Sequence, residues 1–172
     1  MLKEKIGLFD SNYEDDDHYN QIDQEIMRDD YVIGKEGVNY VAIPNSRSDY
    51  PRYQDTDMTV VLQACIDILV NGGKIFIKAG LYDNMGQVLI THNGIIIEGQ
   101  SKYTTILKLA AGDDAGHAGM YGLIDNNNYD NFELRNIALD GNGLNQTKID
   151  NGASVTAICM GVYCQFTANN II

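Results

Sequence analysis

The sequence predicts an all-β solenoid, a stack of coils made of short strands and closed at its N-terminal end by a single helix. Two observations carry this reading. An amphipathic helical segment beginning near Asp55 runs into Asn71-Gly72-Gly73 and then into an alternating, β-branched strand. After it, short apolar clusters recur as far as Ile172 with no further helix-length periodic segment, which argues against alternating strand-helix-strand units. Pro44 and Pro51 both precede the helix, so neither interrupts the downstream strand ladders.

Residues 1–54 read as an N-terminal arm, hairpin and linker, and residues 55–172 as the capping helix and first coils. The arm is rich in Asp, Asn, Gln and Tyr. Its run Asp15-Asp16-Asp17 lacks the alternating order and distal Glu of a calcium loop, so a solvated segment is expected there. Tyr31-Val32-Ile33 and Val38 to Ile43, separated by Gly34-Lys35-Glu36-Gly37, predict a hairpin. The polar stretch Pro44 to Gln54 is the link into the helix. In the helix, Met58, Val61, Leu62, Cys65 and Leu69 recur at helical spacing and make one apolar face. Asp55, Thr56 and Asp57 offer N-cap oxygens, and Asn71-Gly72-Gly73 a left-handed stop.

Downstream, Lys74-Ile75-Phe76-Ile77-Lys78 alternates as a half-buried strand should. Val88-Leu89-Ile90, Ile95-Ile96-Ile97, Ile106 to Leu109, Phe132 to Leu139, Ala157 to Val162 and Phe166 to Ile172 supply further short strands. In the Phe132 to Asp140 run the alternation changes phase at Asn136. Phe132, Leu134, Ile137 and Leu139 should point inward, and Glu133, Arg135, Ala138 and Asp140 outward. Asn136 and Asn170 look like the same bend in successive coils, where stacked side-chain amides can satisfy one another. The polar insertions Ala110 to Asn128 and Gly141 to Ser154 should gather as loops flanking a groove. The apolar run at Ile171-Ile172 has no cap after it. The expectation is the front part of a longer solenoid, or a homo-oligomer or neighbouring subunit that covers the open end.

Asp57, Val61, Leu62, Gln63, Ala64, Ile66, Asp67, Gly72, Gly73, Ala79, Gly80 and Tyr82 carry a resemblance as well. They resemble the opening of the right-handed parallel β-helix proteins of the pectate-lyase-like superfamily: Asp-Thr/Ala-x-x-Val-Ile-Gln-x-Ala-Ile-Asp, then Gly-Gly, a strand, and Pro/Ala-Gly-x-Tyr. Segments 95–100, 104–109, 134–143 and 161–172 look like successive coils of that architecture. The resemblance covers roughly Asp55 to the C-terminus. It implies a right-handed single-stranded parallel β-helix with an N-terminal capping helix. It further implies a carbohydrate-active or carbohydrate-binding domain with polysaccharide as partner. Such a domain is either a polysaccharide lyase or glycoside hydrolase-like enzyme or a non-catalytic fragment. The alternative is a structural or adhesive module of a virion spike or surface fibre. Calcium is the cofactor implied, since lyases of this group need carboxylates holding that ion.

Composition narrows the partners. A formal charge of −12 argues against nucleic acid, which needs a cationic surface. It also opposes capture of a polyanionic sugar unless metal ions bridge the two. No segment reaches membrane-spanning length, and MLKEKIGLFD has no apolar core of a signal peptide, so no membrane insertion is expected. The acidity suits an extracellular, cell-surface or virion setting. Cys65, Cys159 and Cys164 form no zinc or redox spacing, and Cys65 on the apolar helix face should be a buried thiol.

The candidate catalytic residues are Glu133, Arg135 and Asp140, which put carboxylates and a cation on one outward strand face. Glu133 and Arg135 equally suit a surface ion pair, and Asp140 in Leu-Asp-Gly-Asn-Gly suits a turn. Asp125 and Asp130 lie just before them. The Asn-Thr-Asp, Asp-Asp, Gly-His-Gly and Arg-Ile-Lys motifs of polygalacturonases are absent from the sequence, as is the Asp-Pro-His motif of alginate epimerases. His18, His92 and His117 are isolated, although His117 lies near Asp113 and Asp114. Tyr103, Tyr121, Tyr129 and Tyr163 offer aromatic faces for sugar rings, and would serve equally in packing.

Overall fold

A computed structural model describes residues 29–45, 49–112, 121–126, 128–142, 145–146 and 159–163. The strands are β1 (Tyr31–Glu36), β2 (Asn39–Pro44), β3 (Tyr53–Asp55), β4 (Gly73–Ile77), β5 (Gly80–Met85) and β6 (Val88–Leu89). They continue with β7 (Ile95–Gly99), β8 (Thr105–Leu109), β9 (Tyr121–Asp125), β10 (Glu133–Arg135), β11 (Ala138–Asp140) and β12 (Cys159–Tyr163). The helix α1 (Met58–Ile68) stands between β3 and β4. Among the described residues these strands form a six-stranded sheet, β10-β7-β4-β1-β2-β3, and two three-stranded sheets, β11-β8-β5 and β12-β9-β6.

This corrects the expected right-handed single-stranded β-helix. The described residues are mainly β, arranged in mixed sheets with one helix, and they close neither a solenoid nor a barrel. The physical reason lies in residues 31–55, expected as a separate hairpin and linker. β1 joins β4 in parallel, Tyr31 opposite Ile75 and Ile33 opposite Ile77. β2 and β3 then add antiparallel, Tyr31 opposite Pro44 and Tyr40 opposite Asp55. Half of the largest sheet is therefore built by a meander, whose pairing differs from that of a coil. β1 also runs on through Gly34-Lys35-Glu36, which leaves Gly37-Val38 as the hairpin turn, with Gly37 at φ 64. The C-terminal segment with Asn170, Ile171 and Ile172 lies outside the described residues.

The helix follows from local chemistry. Asp57 is extended (φ −106°, ψ 116°) and its carboxylate accepts from Thr59 N at 2.8 Å, satisfying one orphan donor of the first turn. The helix ends at Leu69 (φ −81°, ψ 55°), and Gly72, at φ 81, turns the chain toward β4 three residues later, its N–H donating to Leu69 O at 2.9 Å. Met58, Val61, Leu62, Cys65 and Leu69 are all buried, against the inward side chains Tyr31, Ile33, Ile75, Ile77, Ile95, Ile97, Leu107 and Leu109. Burial pushes the Cys65 thiol well above its ordinary range, so it is inert as a nucleophile. Phe132 is buried, and Leu134, Ile137 and Leu139 pack on the same core.

A second stripe of α1 is polar and meets the segment 86–91. Thr59 Oγ1 accepts from Gly86 N at 2.8 Å. Gln63 uses both ends of its amide: Oε1 accepts from Leu89 N at 2.9 Å, and Nε2 donates to Leu89 O at 3.0 Å. Asp67 accepts from Thr91 Oγ1 at 2.9 Å. β6 is an edge strand of its sheet. Gln63 thus takes the place of the neighbour strand that β6 lacks, while Thr59 and Asp67, one turn to either side, hold the chain before and after it.

Candidate functional site

The charged residues of the six-stranded sheet gather on its outward face because of register. Inward positions are apolar: Ile75 stands opposite Ile97, which stands opposite Leu134. The intervening positions point the other way. One outward row holds Lys74, Ile96 and Glu133, and the next Phe76, Glu98 and Arg135. Asp30, just before β1, closes the first row, since its N–H donates to Lys74 O at 2.8 Å. Its carboxylate accepts from Lys74 N at 2.8 Å.

Within these rows the charges pair. Lys74 Nζ lies 2.9 Å from Asp29 Oδ1 and 2.9 Å from Glu98 Oε2, with all three side chains largely buried. Asn136, held at φ 52 in the bend after β10, donates from Nδ2 to Glu98 Oε1 at 3.1 Å. Arg135 pairs with Glu133 on its own strand. For Glu98, burial works against ionisation. The hydrogen bond and charge of Lys74, with help from Asn136 and Arg135, outweigh it and hold the carboxyl below its usual value. For Lys74, burial likewise opposes the charge. Hydrogen bonds and charges from Asp29 and Glu98 win, and its pKa is raised.

Beside this network a cleft of about 360 Å³ opens, lined by Asp30, Gly73, Lys74, Gly94, Ile96 and Arg135. Gly73 is needed there: a Cβ would lie 2.6 Å from Asp30 Oδ2 and 2.9 Å from Leu69 Cδ2. The cleft thus has hydrogen-bond donors on Lys74 and Arg135, an acceptor on Asp30, and an apolar surface on Ile96.

The pH dependence follows from the two shifts. Glu98 has a depressed folded pKa, so its stabilisation is present above its unfolded value and is lost as pH falls through the folded one. Lys74 has a raised folded pKa, so its contribution is complete below its unfolded value and lost as pH rises through the folded one. Glu98→Gln is therefore expected to destabilise the protein at pH 7 by about 1.5–3 kcal/mol, the range for hydrogen bonds to charged groups. Denaturant melts at pH 7 and pH 3 check this. The gap between variant and parent should narrow from pH 7 to pH 3, and an equal gap at both values would show that the ion pair is not its origin.

Of the sequence candidates, Glu133 and Arg135 stand together on β10, Arg135 at the cleft. Asp140 does not join them. It lies on β11 in another sheet, 3.6 Å from Lys108 Nζ, and its Oδ1 accepts from Asn142 N at 2.8 Å, a turn contact. The sequence reading missed Asp29, Asp30, Lys74, Glu98 and Asn136. The signal for Lys74 and Glu98 was present: both are polar residues at outward positions of strands that alternate.

Tyr103 is 80% exposed, with Lys102 Nζ 5.2 Å from its ring centre, while Tyr129 is half-buried beside His92. Tyr121 and Tyr163 lie on β9 and β12. His92 Nε2 lies 3.1 Å from Asp67 O. Among the described residues no group of three or more His, Cys, Asp or Glu side chains is placed to hold a metal ion. Asp113, Asp114 and His117 are outside them, as are the run Asp15-Asp16-Asp17 and His18. Among the described residues no helix is long and apolar enough to cross a membrane. No family model, curated protein or solved structure matches the chain, so the resemblance to pectate-lyase-like proteins rests on the residues named for it.

Proposed function

We propose that this chain binds carbohydrate in the cleft beside β4, β7 and β10, and does so by recognition rather than by chemistry of its own. The observation that carries this reading is the cleft itself. Asp30, Lys74 and Arg135 offer an acceptor and donors around the apolar side chain of Ile96, the mixture that a hydroxylated ring with a C–H face can satisfy. The charge states of Glu98 and Lys74 suit them to holding the wall of the cleft rather than to acid or lysine-base work. A glycosidase acid needs a carboxyl held protonated by a raised pKa, and a lysine base needs a lowered one. Glu98 and Lys74 are shifted in the opposite directions, each toward its charged form.

A glycan array probed with the whole protein tests the proposal. Retention of a set of saccharides is expected, with affinity for them falling about tenfold in Arg135→Ala, as for loss of a charged hydrogen-bonding partner. Retention of no glycan, or identical retention by the variant, would overturn it.

A second reading is a structural or adhesive module of a virion spike or surface fibre. It is favoured by β10, β11 and β12, each an edge strand of its own sheet. Among the described residues each presents a row of backbone groups suited to strand addition.

A further inference from the structure

We infer that the cleft selects uncharged saccharides and rejects uronate-type, carboxylate-bearing ones. This rests on the proposed carbohydrate binding and adds to it the class of sugar. A guanidinium and an ammonium facing a cleft ordinarily attract carboxylates, and Arg in particular matches their geometry. Here each cation already has its carboxylate. Lys74 Nζ is held at 2.9 Å by both Asp29 and Glu98, and Arg135 is paired with Glu133.

Asp30, whose Oδ2 takes Lys74 N, adds a further negative charge at the rim. Four carboxylates (Asp29, Asp30, Glu98, Glu133) against two cations leave the cluster formally negative by two, within a chain of net charge −12. A uronate approaching Arg135 must displace Glu133 or sit beside Glu98 and Asp30, so it meets repulsion at every step.

A hydroxyl pays no such penalty. Arg135 keeps N–H groups beyond the one that Glu133 accepts, Lys74 keeps one ammonium N–H beyond those directed at Asp29 and Glu98, and the Asp30 carboxylate keeps lone pairs beyond the one used by Lys74 N. The cleft therefore presents donors and an acceptor whose charges are compensated from behind. It is suited to vicinal hydroxyls and has no site for a net anion.

The test is a calorimetric titration of the whole protein at low salt. The probes are neutral hexasaccharides of glucose, galactose and N-acetylglucosamine, together with a galacturonate hexasaccharide. At least one neutral probe should bind tenfold or more tightly than the uronate. Its affinity should change little with added salt, whereas the uronate's should rise as screening weakens the repulsion. Glu133→Gln, nearly isosteric and on a partly exposed pair, removes one counter-charge and should narrow the neutral-to-uronate ratio several-fold. Equal or tighter uronate binding would overturn the inference and leave carbohydrate binding standing. Binding of none of the probes would overturn both. An unchanged ratio in Glu133→Gln would show that charge compensation does not set the selectivity.

Discussion

Leu62→Asp is expected to lower stability by about 4 kcal/mol or more, among the largest effects of any single replacement in this chain. Leu62 is fully buried on the apolar face of α1, in the same core as Tyr31, Ile75 and Ile97. An aspartate there either keeps a carboxylate out of water without a partner or forces the helix off the sheets. Detachment would also strip Gly86, Leu89 and Thr91 of the partners that α1 provides. For a chain of this length the loss corresponds to a fall in melting temperature of roughly 10 °C or more. A thermal melt followed by circular dichroism checks it, and a midpoint within a degree or two of the parent would show that the helix does not cover a core.

Gly99→Ala should be the second severe change, through overpacking. An added Cβ at Gly99 would lie 2.6 Å from Asn136 O, 2.6 Å from Ile137 Cγ1 and 2.9 Å from Thr105 Cβ. The first of these is backbone in the bend that leads from β10 to β11, so it cannot swing aside as a flexible side chain would. Relief requires that bend to move, and with it Asn136, which holds Glu98. The expected cost is about 2–3 kcal/mol, the upper part of the range for forced core insertions. Gly86→Ala is the matched control, since its Cβ would meet Thr59 Cγ2 at 3.7 Å, an ordinary contact. Equal melts for the two variants would mean that the bend yields freely.

The helix was legible in the sequence because its signals are local. The spacing of Met58, Val61, Leu62, Cys65 and Leu69 and the cap at Asp57 each depend on neighbours in the chain, whereas the left-handed glycine expected to stop the helix lies three residues past its C-cap, Leu69, at Gly72. The inward positions of Phe132, Leu134, Ile137 and Leu139 followed from alternation on either side of Asn136. The sheet architecture was not legible in the same way. Alternation says which face of Tyr31-Val32-Ile33 is buried. It is silent on the parallel pairing of that segment with Ile75-Phe76-Ile77, 44 residues on, and so on the mixed sheet that results. The site shows the same division. Glu133 and Arg135, two residues apart, could be read as a pair. Asp29, Lys74, Glu98 and Asn136 come together through register between strands that one sequence does not specify, and Asp140 is turned into another sheet by the bend at Asn136.

The amide of Gln63 carries a consequence for how freely this chain can vary. Solvent-facing helix positions usually accept almost any residue that tolerates a helix, whereas the half-buried Gln63 is held to a single chemistry. Leu89 asks for an acceptor and a donor at once, from the same planar group and at the same reach. Glutamate supplies the acceptor but no donor, and it would stand one turn from Asp67. Lysine supplies donors and no acceptor, and asparagine is a methylene short. A lineage drifting under selection for folding would thus be free at the exposed Val60 and constrained at Gln63, one turn away on the same helix. Sequence constraint on this surface follows the strand edge beneath it.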